Sequence, residues 1–211
     1  MTRPPLVLTG GPAVGKTVTE HHLATRRARC AVIDVDDVRQ LIVSGGVAPW
    51  SRDEGVRQRH LGVANTCALA ANFRARGFEV SIADVLTPDT ARQYRRDLPD
   101  CLIVHLAVAM NEARRRAATR TVWLTDDEFE ALHDGDHTNP PDVDRQLRVD
   151  DLDEIAQAAA VEAQGCTPDL AENANRLIRS LHTSLNAAVR RTRPISRIAA
   201  MWLLAPRYAQ R

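Results

Sequence analysis

Gly10-Gly11-Pro12-Ala13-Val14-Gly15-Lys16-Thr17 is the stretch that decides the fold. It fits the pattern G-x-x-x-x-G-K-[ST], and its neighbours supply the context that the pattern needs. Leu6 to Thr9 is a short apolar run after Pro4-Pro5, read as a buried parallel strand, and from Lys16 to about Ala28 the spacing turns helical. Between a strand and a helix, glycines let successive main-chain N–H groups curl around a phosphate, while the helix N-terminus adds partial positive charge. Residues Gly10, Gly11, Pro12, Ala13, Val14 and Gly15 would form that cradle. Lys16 would reach the β- and γ-phosphates, and the Thr17 hydroxyl would ligate Mg²⁺. A plain Gly-rich turn ahead of a helix would need no lysine. Of the 28 basic residues 27 are Arg, and the single Lys of the chain is Lys16.

Outward from this motif, strand-like and helical runs alternate. Ala31 to Val35 is a second strand ending in acids, and Val38, Leu41 and Ile42 suggest a short helix stopped by Gly45-Gly46. Gly55 to Arg76 is helical, with Gly77 as its C-cap. Phe78 to Ala83 is a third strand closing at Asp84, and Thr87-Pro88-Asp89 opens a helix with an N-cap and Pro at N1. Leu102 to Val108 is a fourth strand, nearly continuous in apolar residues. An Arg-rich helix, Asn111 to Arg120, follows, and Thr125-Asp126-Asp127-Glu128 begins another with a capping box. Asp134 to Asp144 reads as a loop, Gln146 to Val149 as a weak fifth strand, and Asp151 to Gln164 as a helix. The alternation predicts an α/β fold with a parallel sheet of about five strands covered on both faces. Gly165 is the expected boundary, separating a core of residues 1–164 from a C-terminal helical extension, 165–211.

Composition narrows the classes. The 211 residues are 44% hydrophobic and 26% charged, with a mean hydropathy of −0.29, which suits an ordinary globular chain. Cys30, Cys67, Cys101 and Cys166 are dispersed without metal spacing and read as reduced thiols of a cytoplasmic protein. No stretch is apolar for long enough to span a membrane. The net charge of +1 conceals asymmetry: residues 1–125 carry 18 basic and 12 acidic side chains, 126–172 carry 2 and 15, and 173–211 carry 8 and none. The basic tail (Arg176, Arg179, Arg190, Arg191, Arg193, Arg197) is best read as docking on the acidic segment, in the same chain or in a homodimer through the C-terminal helices. Phosphate contacts to nucleic acid are the alternative.

Three further clusters carry chemistry. Asp34-Val35-Asp36-Asp37-Val38-Arg39 lies at the carboxyl end of the second strand, where ligands of such sheets sit. A carboxylate there can take a proton from an attacking hydroxyl, with Arg39 orienting the acceptor; Asp36 or Asp37 could instead cap the helix that follows. Asp84 ends an apolar strand as a Mg²⁺-orienting acid does, or simply terminates it. Arg116 and Arg120, in the run Arg114-Arg115-Arg116 and beyond, share a helix face and could close over a transferred phosphoryl group, unless they form a solvated basic face. The seven His show no ligand spacing and read as structural. Trp50 and Trp123 flank loops, as substrate platforms or as rim residues.

With these elements in order, the chain resembles the small P-loop kinases, a three-layer α/β/α sandwich. Within them it looks most like the branch of chloramphenicol phosphotransferases, polynucleotide 5′-kinase domains and zeta-toxin-type kinases. GGPAVGKT, DVDDVRQ and RRRAATR carry the resemblance, which covers about residues 5 to 164. It implies ATP and Mg²⁺ as cofactors and Asp36, the first acid of the pair, as general base. It also implies Arg39 as an acceptor contact, and Arg116 and Arg120 in a lid around 111–133, on the phosphate or on adenine. The expected activity is transfer of the γ-phosphate to a hydroxyl of a small molecule, metabolite or antibiotic-like, bound under the loop Ser44 to Arg52. Nucleic-acid ends or nucleotide sugars are the alternative acceptors, and a non-catalytic nucleotide-binding module is the alternative class. Ala83-Asp84-Val85-Leu86-Thr87 departs from the DGFPR-like segment of nucleoside monophosphate kinases, and no adenine-reading signature follows the fifth strand.

Overall fold

β1 (Leu6–Thr9) serves two faces in alternation, and that alternation divides the core. In the computed structural model, which describes residues 3–119 and 124–165, Val7 packs with Ile33, Val80, Ile82, Tyr94 and Ile103 on one side of the sheet. Leu6 and Leu8 pack with Leu23, Val104, Leu106 and Val161 on the other. Burying each such aliphatic side chain contributes about 1.5–3 kcal/mol.

β1 is the middle strand of five. With β2 (Cys30–Asp34), β3 (Glu79–Ala83), β4 (Leu102–Ala107) and β5 (Arg145–Arg148), the order is β2-β3-β1-β4-β5, and every neighbouring pair is parallel. The helices are α1 (Lys16–Ala24), α2 (Val35–Gln40), α3 (Asp53–Arg74), α4 (Pro88–Asp97), α5 (Met110–Ala117), α6 (Asp126–Thr138) and α7 (Glu154–Gln164). Core residues of α3 and α4 cover one face, and those of α1, α5, α6 and α7 the other. The chain thus adopts the expected α/β sandwich. Because the connections from β1 and β3 leave in opposite directions, their carboxyl ends open a crevice beside the Gly10–Thr17 loop.

Local signals explain most element ends. Thr87 and Thr125 both form capping boxes, with Thr90 and Glu128, and Pro88 occupies the first turn of α4. Several boundaries differ from expectation, and three of them have a visible cause. α1 stops at Ala24 rather than about Ala28, since Leu23 is its last buried side chain and the chain turns through Arg26 and Arg27 to enter β2. The second helix begins at Val35, because Asp34 caps it. α6 continues to Thr138 through what reads as a loop, because His133 and Asp136 have partners on the sheet side that no local pattern reveals. Arg120, Trp123, Cys166 and the extension from 166 onward lie outside the described residues, as do the proposed dimer helices and the basic tail. Cys30, Cys67 and Cys101 are free thiols, and burial pushes Cys67 up to about 12 and Cys101 up to about 11.

Candidate active site

The Gly10–Thr17 loop turns from β1 into α1 through left-handed backbone. Gly15 has φ 93 and serves as the N-cap residue of α1, a conformation that costs glycine nothing. Ala13 takes φ 61, a strained value held by packing in the core beside Val14. Lys16 Nζ donates to the carbonyls of Gly10 at 2.8 Å and Gly11 at 3.0 Å, so the ammonium lies back across the loop rather than outward. Burial lowers its proton affinity, while Asp36, Asp84, Asp34 and Asp136 pull the other way.

Two distant elements brace the loop. Gln157, buried on α7, donates to Val14 O at 3.0 Å and Thr19 Oγ1 at 2.8 Å. His133, buried on α6, donates from Nε2 to Pro12 O at 2.9 Å, and a Cβ on Gly11 would stand 2.7 Å from its ring. Thus one histidine read as merely structural touches the phosphate loop. His105 pairs with Asp136 at 2.6 Å and ties the same helix to β4.

At the end of β2, Asp34 performs two tasks that its place in the sequence does not reveal. Its Oδ1 accepts from Asp36 N at 3.0 Å and caps α2, so neither Asp36 nor Asp37 is the cap. Its Oδ2 accepts from Thr17 Oγ1 at 3.1 Å. A hydroxyl and a carboxylate oxygen side by side at the loop are hard donors suited to Mg²⁺. Asp36 is thereby left exposed on the first turn, where its Oδ1 accepts from Arg39 Nη1 at 2.8 Å.

Arg39 also donates from Nη2 to Asp84 Oδ1 at 2.8 Å. Against a burial cost, Asp84 and then Asp36 raise its proton affinity. Asp84 itself is fully buried. Its Oδ1 also accepts from Val85 N at 2.8 Å and its Oδ2 from Tyr94 OH at 3.2 Å. Burial raises its affinity for a proton and Arg39 opposes that. The structure therefore brings Asp84 to Arg39 and Tyr94, whereas Thr17 meets Asp34. Among the described residues, no group of three or more His, Cys, Asp or Glu has the arrangement of a self-contained metal site.

The Arg run divides. Arg114 pairs with Glu130 and Arg115 with Glu112 on the exposed side. Arg116 turns inward: Nε donates to Glu112 at 2.7 Å, Nη2 to Val149 O at 2.6 Å, and Nη1 approaches Val14 O at 3.3 Å. It joins the phosphate loop to the segment after β5. Hydrogen bonds from Arg115 and Arg116 hold Glu112 down at about 2.

Lys16, Thr17, Asp34, Asp36, Arg39 and Asp84 all line one cavity of about 740 Å³, bounded on its far side by Val47, Pro49 and Trp50. Asp37 is exposed and outside that lining.

The fold is shared with solved kinase structures. The chain is similar to a sugar kinase from Janibacter sp. HTCC2649 (TM-score 0.62, 17% identity, 81% of this chain and 99% of that one). It is also similar to a gluconokinase from Sinorhizobium meliloti 1021 (0.55, 16%, 86% and 97%). A third is the Mycobacterium tuberculosis APS kinase in complex with AMPPNP and APS (0.54, 18%, 82% and 99%). At such identities the likeness is one of fold. No protein-family model matches the chain, and no curated protein matches it. Among the described residues no helix is long and apolar enough to cross a membrane.

Proposed function

We propose that this protein is a kinase that transfers the γ-phosphoryl group of ATP to a hydroxyl of a small molecule, with Mg²⁺. The observation that carries the reading is that the Lys16 loop and the Asp36–Arg39 pair line one and the same cavity. The fold shared with sugar kinase, gluconokinase and APS kinase structures supports it, and DVDDVRQ supports the chloramphenicol phosphotransferase-like branch.

The main-chain amides of the loop would hold the phosphates, and Lys16 would leave the Gly10 and Gly11 carbonyls for the β- and γ-oxygens. Thr17 and Asp34 would hold Mg²⁺, which when bound neutralises charge on the phosphates. At the other end, Arg39 is fixed by Asp84 and orients Asp36 toward the acceptor. Asp36 takes the hydroxyl proton as the acceptor oxygen bonds to the γ-phosphorus. The bond from that phosphorus to the β–γ bridging oxygen breaks, and ADP leaves with the electron pair. Arg116 would stand beside the nucleotide, and Arg120 would belong to the lid.

The test is a screen of hydroxyl-bearing metabolites, antibiotics and oligonucleotides for ATP-dependent mass gain of one phosphate. Lys16→Ala is expected to lose nucleotide binding. Asp36→Asn is expected to bind nucleotide normally and transfer about 10²–10⁴-fold more slowly. Full transfer by Asp36→Asn would remove the assigned base.

A further inference from the structure

Arg59, in the second turn of α3, is a cation of the acceptor end that the protein leaves unused. It lines the cavity, yet among the described residues it makes no hydrogen bond or ion pair, and its Nε is shut away from solvent with no partner. Its neighbours are all committed. Gln58 donates to Gly45 O at 2.8 Å and Glu54 at 2.9 Å and accepts from Val47 N at 3.0 Å, pinning the loop before α3. His60 meets Gln93 Oε1 at 2.6 Å, and Gln93 Nε2 donates back to His60 O at 2.9 Å, locking α3 onto α4. Arg39 spends both terminal nitrogens on Asp36 and Asp84. Arg59 therefore projects from a fixed backbone as a part-buried guanidinium with all its donors unassigned.

Such a group remains charged at any physiological pH, and half-buried charges are normally matched by an ion or a ligand. Burial, and after it the neighbouring Arg39 charge, lowers its proton affinity, and Asp89 and Asp84 oppose this without pairing with it. A planar oxyanion would accept two parallel bonds from the guanidinium and offset the Arg39 repulsion. Ile42, Val47, Pro49 and Trp50 line the same cavity and give its acceptor end apolar surface beside the cation.

We propose that Arg59 is the subsite for an oxyanion on the acceptor. The hydroxyl compound phosphorylated here is then itself an anion, bearing a carboxylate, sulfate or phosphate, and not a neutral sugar or polyol. The inference rests on the kinase reading for the word acceptor, but its first test does not.

In the first arm, the full chain has its nucleotide end filled with AMPPNP and Mg²⁺. The Arg59 Nε–H resonance, assigned by its loss in R59K, is followed while acetate, sulfate or inorganic phosphate is added. A saturable shift with at least one oxyanion, and none with glycerol or matched sodium chloride, is expected. No saturable shift, or the same shift with the controls, overturns the proposal.

In the second arm, matched pairs are compared as acceptors: aldonate with aldose, sugar phosphate with sugar, nucleotide with nucleoside. The charged member is expected to have the higher kcat/KM by about tenfold to hundredfold. R59Q should bring that ratio toward one, mainly through KM, with AMPPNP affinity retained as the folding control. Equal use of the neutral member, or a ratio that survives R59Q, overturns it. Transfer to no hydroxyl at all, with the anion shift present, would remove the kinase reading while supporting the anion subsite.

Discussion

His133 on α6 donates from Nε2 to the main-chain carbonyl of Pro12 at 2.9 Å, so the helix of the expected lid region is bonded directly to the phosphate loop. Burial lowers the His133 proton affinity below the ordinary 6.5, with the Pro12 carbonyl opposing. The folded protein thus holds the ring neutral, while the unfolded chain protonates as pH falls through 6.5. The stability that His133 contributes is complete above that value and is lost as pH drops from there toward its folded value. His133→Asn should cost about 1 kcal/mol at neutral pH. It should also lose less stability than wild type on acidification, as thermal melts across that window would show.

Gly62 lies mid-helix in α3 against the stem of Arg39, where a Cβ would stand 3.1 Å from Cγ and 3.2 Å from Nε. Alanine at an exposed helix position would add about 1 kcal/mol of stability. Here the stem is clamped at its far end by Asp36 and Asp84 and must give way. Gly62→Ala is expected to keep or slightly raise the denaturation midpoint while phosphotransfer falls about tenfold, since misplacement by a few tenths of an ångström is felt at such a pair. Unchanged turnover would show that Arg39 has room.

Glu20 is buried on α1, where its Oε1 accepts from Ser81 Oγ at 3.1 Å and its Oε2 has no partner among the described residues. Burial raises its pKa well above 4.5. Above 4.5 the unfolded chain releases this proton and the folded protein keeps it, so stability falls as pH rises from there through the folded value. Glu20→Gln should remove that slope and melt higher than wild type on the alkaline side. Parallel pH–stability curves for the two proteins would contradict it.

The arrangement around Asp34 shows what spacing can and cannot disclose. The acids at 34, 36 and 37 were legible as a site because they follow an apolar run, but spacing could not tell which one turns back to cap the helix. The answer is a main-chain geometry, Asp34 Oδ1 on Asp36 N, and it frees Asp36 for Arg39. Arg59 was illegible for a different reason. In a chain with 27 Arg, residue type carries little information, and what singles this one out is that, among the described residues, it has no hydrogen-bond partner in a cavity where Lys16, Asp34, Asp36, Arg39 and Asp84 each have one. Arg116 stands out in the sequence by its place in an Arg run; its inward turn depends on carbonyls at Val14 and Val149, far away in the chain.

From the chain alone came the parallel α/β layering, the Gly10–Thr17 phosphate loop, the solitary Lys16 and the acids after the second strand. Each is written in neighbouring residues, as a period of two or 3.6, a cap, or a loop whose turn demands glycine. Folding decided the rest: that His133 and Gln157 brace the loop, that Asp84 anchors Arg39, and that Arg59 faces the cavity without a counter-ion. Those are relations between residues up to 143 positions apart. Hydrogen bonds and charges act over a few ångströms of space, and only the packed sheet brings those positions within that reach.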